Sequence, residues 1–203
     1  MNATDERPPT DDWEPVTGRV EIADRIEIAD IELAERVTHP TRGRILRRLK
    51  RPHSAAELAD WLDVPVTRLY HHLKLLESAD LIHVAATRKV GAATERRYQA
   101  SGKSFQIAES ILEQSAPAQL APLLGSLFDL AKLDLVEFVE SEELDPPTVE
   151  QQLLIGYAQK QLTPPRRAEL IARLTTVLKD FEDNAGGEDT ETFAVFIAAF
   201  PPN

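Results

Sequence analysis

With 203 residues the chain can form one sizeable domain or two small ones, and 42% hydrophobic content is ordinary for a globular protein. It contains no cysteine, which excludes disulfides, thiolate metal sites and cysteine nucleophiles. The net charge of −11 argues against a polyanionic partner until its distribution is read. Residues 40–97 carry twelve lysines and arginines against six acids, a surplus of six that leaves −17 on the rest of the chain. A basic island in an acidic chain points to one anion-binding face. The longest nearly unbroken apolar run, Phe193 to Phe200, falls far short of the about 20 residues that span a bilayer. The first residues show no basic segment followed by an apolar one, so a soluble, cytoplasmic chain with no membrane partner is expected.

Residues 1–18 are polar and acidic, with Pro8, Pro9 and Pro15, and read as a mobile tail. Val20, Ile22, Ile26 and Ile28 alternate with polar neighbours, the strand period, although Ile22, Ile26, Ala29 and Leu33 also fit a helix. One or two short strands followed by a helix from Asp30 to Val37 is the preferred reading. After His39-Pro40-Thr41, the residues Ile45, Leu46 and Leu49 mark a second helix. Ser54-Ala55-Ala56-Glu57 is a capping box that opens a third, carrying Leu58, Ala59 and Leu62. Beyond a tight turn, Pro65 starts a fourth helix in which Val66, Leu69, Leu73 and Leu76 form one buried stripe. Leu81 to Thr87, a loop around Gly91, and Thr94 to Gln99 then read as a β-hairpin with a basic tip and a basic return strand. Three short helices and a two-stranded hairpin are the layout of a winged helix-turn-helix.

Beyond Ser101 a helix carrying Phe105, Ala108, Ile111 and Leu112 is expected to end by Pro117. Between Leu123 and Val139 eleven of seventeen residues are Leu, Phe, Ala or Val, spread over more than one helix face. Such a helix must be covered by its own chain, a second subunit or a ligand. Thr148-Val149-Glu150-Gln151 predicts a further capped helix with Val149, Leu153 and Tyr157 inward, and Thr163-Pro164-Pro165 opens the last one. Glu191 to Pro201 reads as a buried strand, for which the Ile26/Ile28 segment is the candidate partner.

The sharpest constellation lies in the fourth helix. With Leu69, Leu73 and Leu76 inward, Thr67, His71 and Lys74 point the opposite way, flanked by Arg68 and Tyr70. Hydroxyl, imidazole, ammonium, guanidinium and phenol on one exposed face supply donors for base edges and phosphates. Alone, this is an ordinary solvated face; the capped helix and tight turn before it and the basic hairpin after it favour DNA. His72, beside the buried stripe, reads as a satisfied core histidine.

The run His39-Pro40-Thr41-Arg42, Ile45-Leu46 and Ser54-Ala55-Ala56-Glu57-Leu58-Ala59 resembles the first half of an ArsR-like winged-helix domain. Leu69-Tyr70-His71-His72-Leu73-Lys74-Leu75-Leu76-Glu77, Leu81-Ile82 and Glu95-Arg96-Arg97-Tyr98 resemble its recognition helix and wing. The resemblance covers about residues 30–100 and implies a homodimeric transcriptional regulator of double-stranded DNA. Its recognition helix would be 65–78 and its wing 87–97, with Arg88, Lys89, Arg96 and Arg97 on phosphates. Three positions depart from the family pattern. Gly43 replaces a larger apolar residue and should loosen its helix, while Asp63 and Asp80 stand at turns where glycine is preferred.

Metal sensing is not expected, because the five histidines (His39, His53, His71, His72 and His83) include no i, i+4 pair. No cofactor is expected either, and no phosphate loop, G-x-S-x-G or H-E-x-x-H motif points to an enzyme. The expected fold is mainly α with small β elements. A tail (1–18) precedes a winged helix-turn-helix domain (19–100), and residues 101–203 form a helical dimerisation region with a terminal strand. That last region could also enclose a small-molecule effector. The competing reading, motivated by the −17 outside the basic window, is a winged-helix interaction or scaffold module that does not read DNA.

Overall fold

The computed structural model describes residues 12–16, 20–140, 153–156, 158–183 and 194–200. The chain divides into two compact units, residues 1–133 and 134–203.

In the first unit a strand β2 (Ala23–Ile28) leads into helix α1 (Ile31–Thr38). Asp30 caps that helix, its carboxylate accepting from the Leu33 N–H at 2.8 Å. Helix α2 (Pro40–Arg48) follows directly, with Pro40 in its first turn. Strand β3 (His53–Ser54) ends in the capping box: the Ser54 N–H donates to Glu57 Oε2 at 2.6 Å and the Glu57 N–H to Ser54 Oγ at 3.2 Å. This starts α3 (Ala55–Leu62), which stops at Asp63 in the left-handed conformation, φ 53°. Helix α4 (Val66–Glu77) follows, and Asp80 makes a second left-handed turn, φ 56°, into strand β4 (Ile82–Val90). Both aspartates thus adopt the backbone that glycine would have made easier.

Strand β4 pairs antiparallel with β5 (Ala93–Ala100) across a two-residue loop in which Gly91 has φ 61°. A positive φ at the first central position is what a type II′ hairpin turn needs. Ile45, Leu46, Leu49, Leu58, Leu62, Leu69, Leu73, Leu76, Leu81, Ile82 and Tyr98 close into one core. Each large aliphatic buried there contributes about 1.5–3 kcal/mol. The hairpin root is tied in by two backbone bonds, Ala100 N–H to Leu49 O and Ser101 N–H to Leu81 O, both 2.9 Å.

The structure corrects several expectations around this domain. The partner of Ile26 and Ile28 is not the chain's end but β6 (Gly102–Ile107), which runs parallel to β2 with Ile26 opposite Phe105 and Ile28 opposite Ile107. The region read as one helix from Ser101 is therefore a strand first, and α5 (Glu109–Gln114) starts only after Ala108. Phe105 and Ile107 share a strand face as readily as Phe105, Ala108 and Ile111 share a helix face, and only the available edge of β2 decides between them. Gly102 belongs to that decision, since a Cβ there would lie 2.7 Å from the Ile26 side chain. Residues 194–200 form no strand.

The supposed tail is also ordered in part. Strand β1 (Glu14–Pro15) pairs antiparallel with β4, Glu14 opposite Thr87 and Pro15 opposite Ala86, giving a four-stranded sheet ordered β1-β4-β5-β3.

Gly43, expected to loosen α2, is instead filled from outside. Helix α6 (Pro117–Val139) lays Leu130 over it, at 3.0 Å from where a Cβ would stand. A second core beneath α6 gathers Ile28, Ala34, Ile111 and Leu123. On the same helix Leu124, Phe128, Leu135 and Val139 are exposed. The helix expected from Thr148 lies largely outside the described residues, and Leu153–Gly156 are not helical. The last expected helix is present as α7 (Pro164–Asp183).

Candidate nucleic-acid interface

The turn between α3 and α4 is set by residues 63–65. The Val64 N–H bonds Ala59 O at 3.1 Å, and Pro65 stands one residue before the first helical position, its carbonyl accepting from Arg68 N–H at 2.9 Å. With Leu69, Leu73 and Leu76 buried, the helix turns Thr67, Arg68, Tyr70, His71 and Lys74 to solvent. Tyr70 is 56% exposed, a large phenol with no burial to explain it.

His72 behaves differently from its neighbour His71. Its half-buried ring lies 5.3 Å from the His39 ring, which sits between α1 and α2. Its Nδ1 is buried without a hydrogen-bond partner, so the expected satisfied core histidine is half right: inward, but not satisfied. Burial lowers its pKa, and the neighbouring His39, Arg42 and His71 add to that. Burial and Arg42 do the same to His39. Arg42 is held there by capping the end of α1, donating to Arg36 O at 2.6 Å and Glu35 O at 3.2 Å.

The wing has two unlike faces. Strand alternation puts Arg96 on the face of buried Tyr98 and Ala100, with Thr87 opposite it and the facing pair Lys89 and Thr94 two residues toward the tip. Burial first, then the Glu77 carboxylate and Tyr70, raises the Tyr98 phenol above its ordinary value, while Arg96, hydrogen-bonded to it, acts the other way. Arg96 thus stands at the junction of wing and α4. Lys89 and Arg96 are exposed.

Arg88 and Arg97 lie on the opposite face, where each of these two expected phosphate contacts meets a carboxylate of the protein itself. Arg88 Nε pairs with Glu95 at 2.7 Å, and Arg97 Nη2 pairs with Glu57 at 2.6 Å. The Trp13 ring covers both guanidinium groups, at 4.6 Å from Arg88 and 4.4 Å from Arg97. An even residue spacing cannot distinguish the two faces of a strand until one face is known to be covered. Trp13 was the missed signal, a lone aromatic in an otherwise polar segment. Glu57, the cap of α3, also carries the Arg97 bridge. On the flank of α2 a second cation–π pair places Arg44 and Arg48 at 5.1 and 5.4 Å from the Trp61 ring of α3.

Among the described residues no three His, Asp or Glu side chains converge as metal ligands, and no helix is long and apolar enough to cross a membrane. Residues 37–85 match the family described as a helix-turn-helix domain. The matched segment begins at the end of α1 and stops within β4, so it contains α2, α3 and α4 but not the wing tip. The chain therefore carries a helix-turn-helix domain, a fold that suggests a DNA-binding regulator. Comparison with curated proteins gave no match.

Proposed function

We propose that this chain is a non-enzymatic, ArsR-like transcriptional regulator that reads double-stranded DNA as a homodimer. Helix α4 enters the major groove, where Thr67, Arg68, Tyr70, His71 and Lys74 meet base edges and flanking phosphates. Lys89 and Arg96 of the wing meet the backbone. Arg88 and Arg97 hold the wing together instead.

One observation carries the reading: the exposed polar face of α4, inside the helix-turn-helix domain of residues 37–85, meets the cationic face of the adjoining wing at Tyr98. The second protomer is motivated by α6, whose exposed Leu124, Phe128, Leu135 and Val139 fall within one stripe of the helix. Dimerisation would set two copies of α4 one DNA turn apart, about 34–36 Å.

The test is selection of bound fragments from a pool of genomic duplexes, with sedimentation of the full chain. The expected result is a palindromic site bound by a dimer, and a monomer when Leu124 and Leu135 are both replaced by Asp. Failure to enrich any duplex would remove the DNA reading in favour of an interaction module.

A further inference from the structure

We propose that residues 12–16 are a clamp that positions the wing for DNA, with Trp13 as its positioning residue. The inference rests on the DNA-binding reading above and adds to it an element outside the helix-turn-helix domain.

The clamp is continuous from α3 to the wing. Glu57 caps α3 with one carboxylate oxygen, bonded to the Ser54 N–H at 2.6 Å, and binds Arg97 with the other, also at 2.6 Å. Ser54 and Arg97 are themselves opposite one another in the β3–β5 pairing. Arg97 then lies under Trp13, Trp13 lies over Arg88, and Arg88 reaches back across the hairpin to Glu95. Trp13 is placed for this by register: Glu14 pairs with Thr87, so one residue earlier the chain stands beside Arg88. The Val16 N–H adds a bond to Ala85 O at 3.1 Å, at the irregularity between Val84 and Ala86 where the β4–β5 ladder shifts.

Each part has a physical reason to hold the hairpin still. A hairpin is marginal alone; β3 pairs one side of it, and β1 pairs part of the outer edge of β4 on the other. A ring lying over two guanidinium groups that are each paired to a carboxylate fixes β4 and β5 to one another on the face away from α4. The exposed cations Lys89 and Arg96, on the other face, inherit that rigidity. Residues held before binding make phosphate contacts without the entropy cost of ordering them.

Full-length W13A and W13F test the proposal by hydrogen–deuterium exchange and duplex binding across a salt series. W13A should speed amide exchange in β4 and β5 and weaken duplex binding about tenfold. It should also make the dimer's salt slope shallower by up to about 3.6 units, since four wing contacts are lost and each removes about 0.9. W13F, which keeps a ring over the arginines, should stay near the wild type. Lys89→Ala should weaken the wild type but cost little more in W13A, because the wing is already disengaged. Unchanged exchange in β4 and β5 overturns the clamp. So does loosened exchange with unchanged affinity and slope, and so does tighter binding, which would make the segment a competitor of DNA. A wild type that binds no duplex overturns the DNA reading itself, and is told apart from failure of the clamp, in which the wild type binds and W13A binds equally well.

Discussion

His71 and His72 are adjacent in sequence, yet α4 sends one ring to solvent and the other against His39. The about 100° between neighbours on a helix is the whole cause. His71→Ala and Thr67→Ala should each relax the choice of duplex, by about 1–3 kcal/mol for a good base contact removed. Thermal stability should change by no more than about 0.5 kcal/mol, as for other exposed positions. Competition binding with matched and scrambled duplexes, paired with melting curves, checks both. The inward rings carry a separate, pH-dependent cost. His39 and His72 face one another; burial and Arg42 lower both below the ordinary 6.5, and His39 and His71 add to the effect at His72. The unfolded chain therefore takes up protons before the folded one. Stability should be intact above about pH 7 and decline as pH falls through 6.5 toward the lowered folded values. His72→Gln removes one of these protons, so its melting temperature should fall less than the wild type's between about pH 7.5 and 5.5. An identical decline would show that His72 takes no part.

At the level of elements, two glycines decide where helices and strands can touch. Gly43 admits Leu130 of α6 to the surface of α2, and Gly102 lets β6 pass under Ile26. Neither needs a special φ; each is a site of close approach. Gly43→Leu restores the larger residue of the resembled family but drives into the Leu130 methyls. Overpacking of this kind costs about 1–3 kcal/mol, so the melting temperature should fall by several degrees. A variant as stable as the wild type would mean that α6 does not rely on this seat. The same packing explains why the α6 stripe is better tested by substitution than by truncation. A chain ending near residue 100 would lose β6 and uncover Ile28, confusing loss of the dimer with loss of the fold.

Over the whole molecule the charge is strongly uneven, and its effect on binding is a long-range one. The basic window faces DNA in the proposed arrangement while a surplus of acids elsewhere repels it. Four exposed cations per protomer, Arg68, Lys74, Lys89 and Arg96, would release up to eight counterions from a dimer. The logarithm of affinity should then fall with the logarithm of salt at a slope approaching about −7. Titration of one duplex at increasing salt measures it. A flat response would place the contact surface elsewhere.

The helices of the helix-turn-helix domain are legible because their signals are local. A capping box, a proline at a helix start, and leucines at positions 69, 73 and 76 act within a few residues, and the turns at Asp63 and Asp80 form as those signals require. The outward set on α4 followed from the same leucine stripe. The wing's two faces, the order in residues 12–16 and the pairing of β2 with β6 were not legible, because each depends on segments about 70 or more residues apart. Periodicity says that a strand has two sides; it takes Trp13 on one of them to cover Arg88 and Arg97 while Lys89 and Arg96 stay exposed. Long-range contacts choose among local conformations of nearly equal energy, as they did for Phe105 and Ile107, and no window of sequence contains that choice.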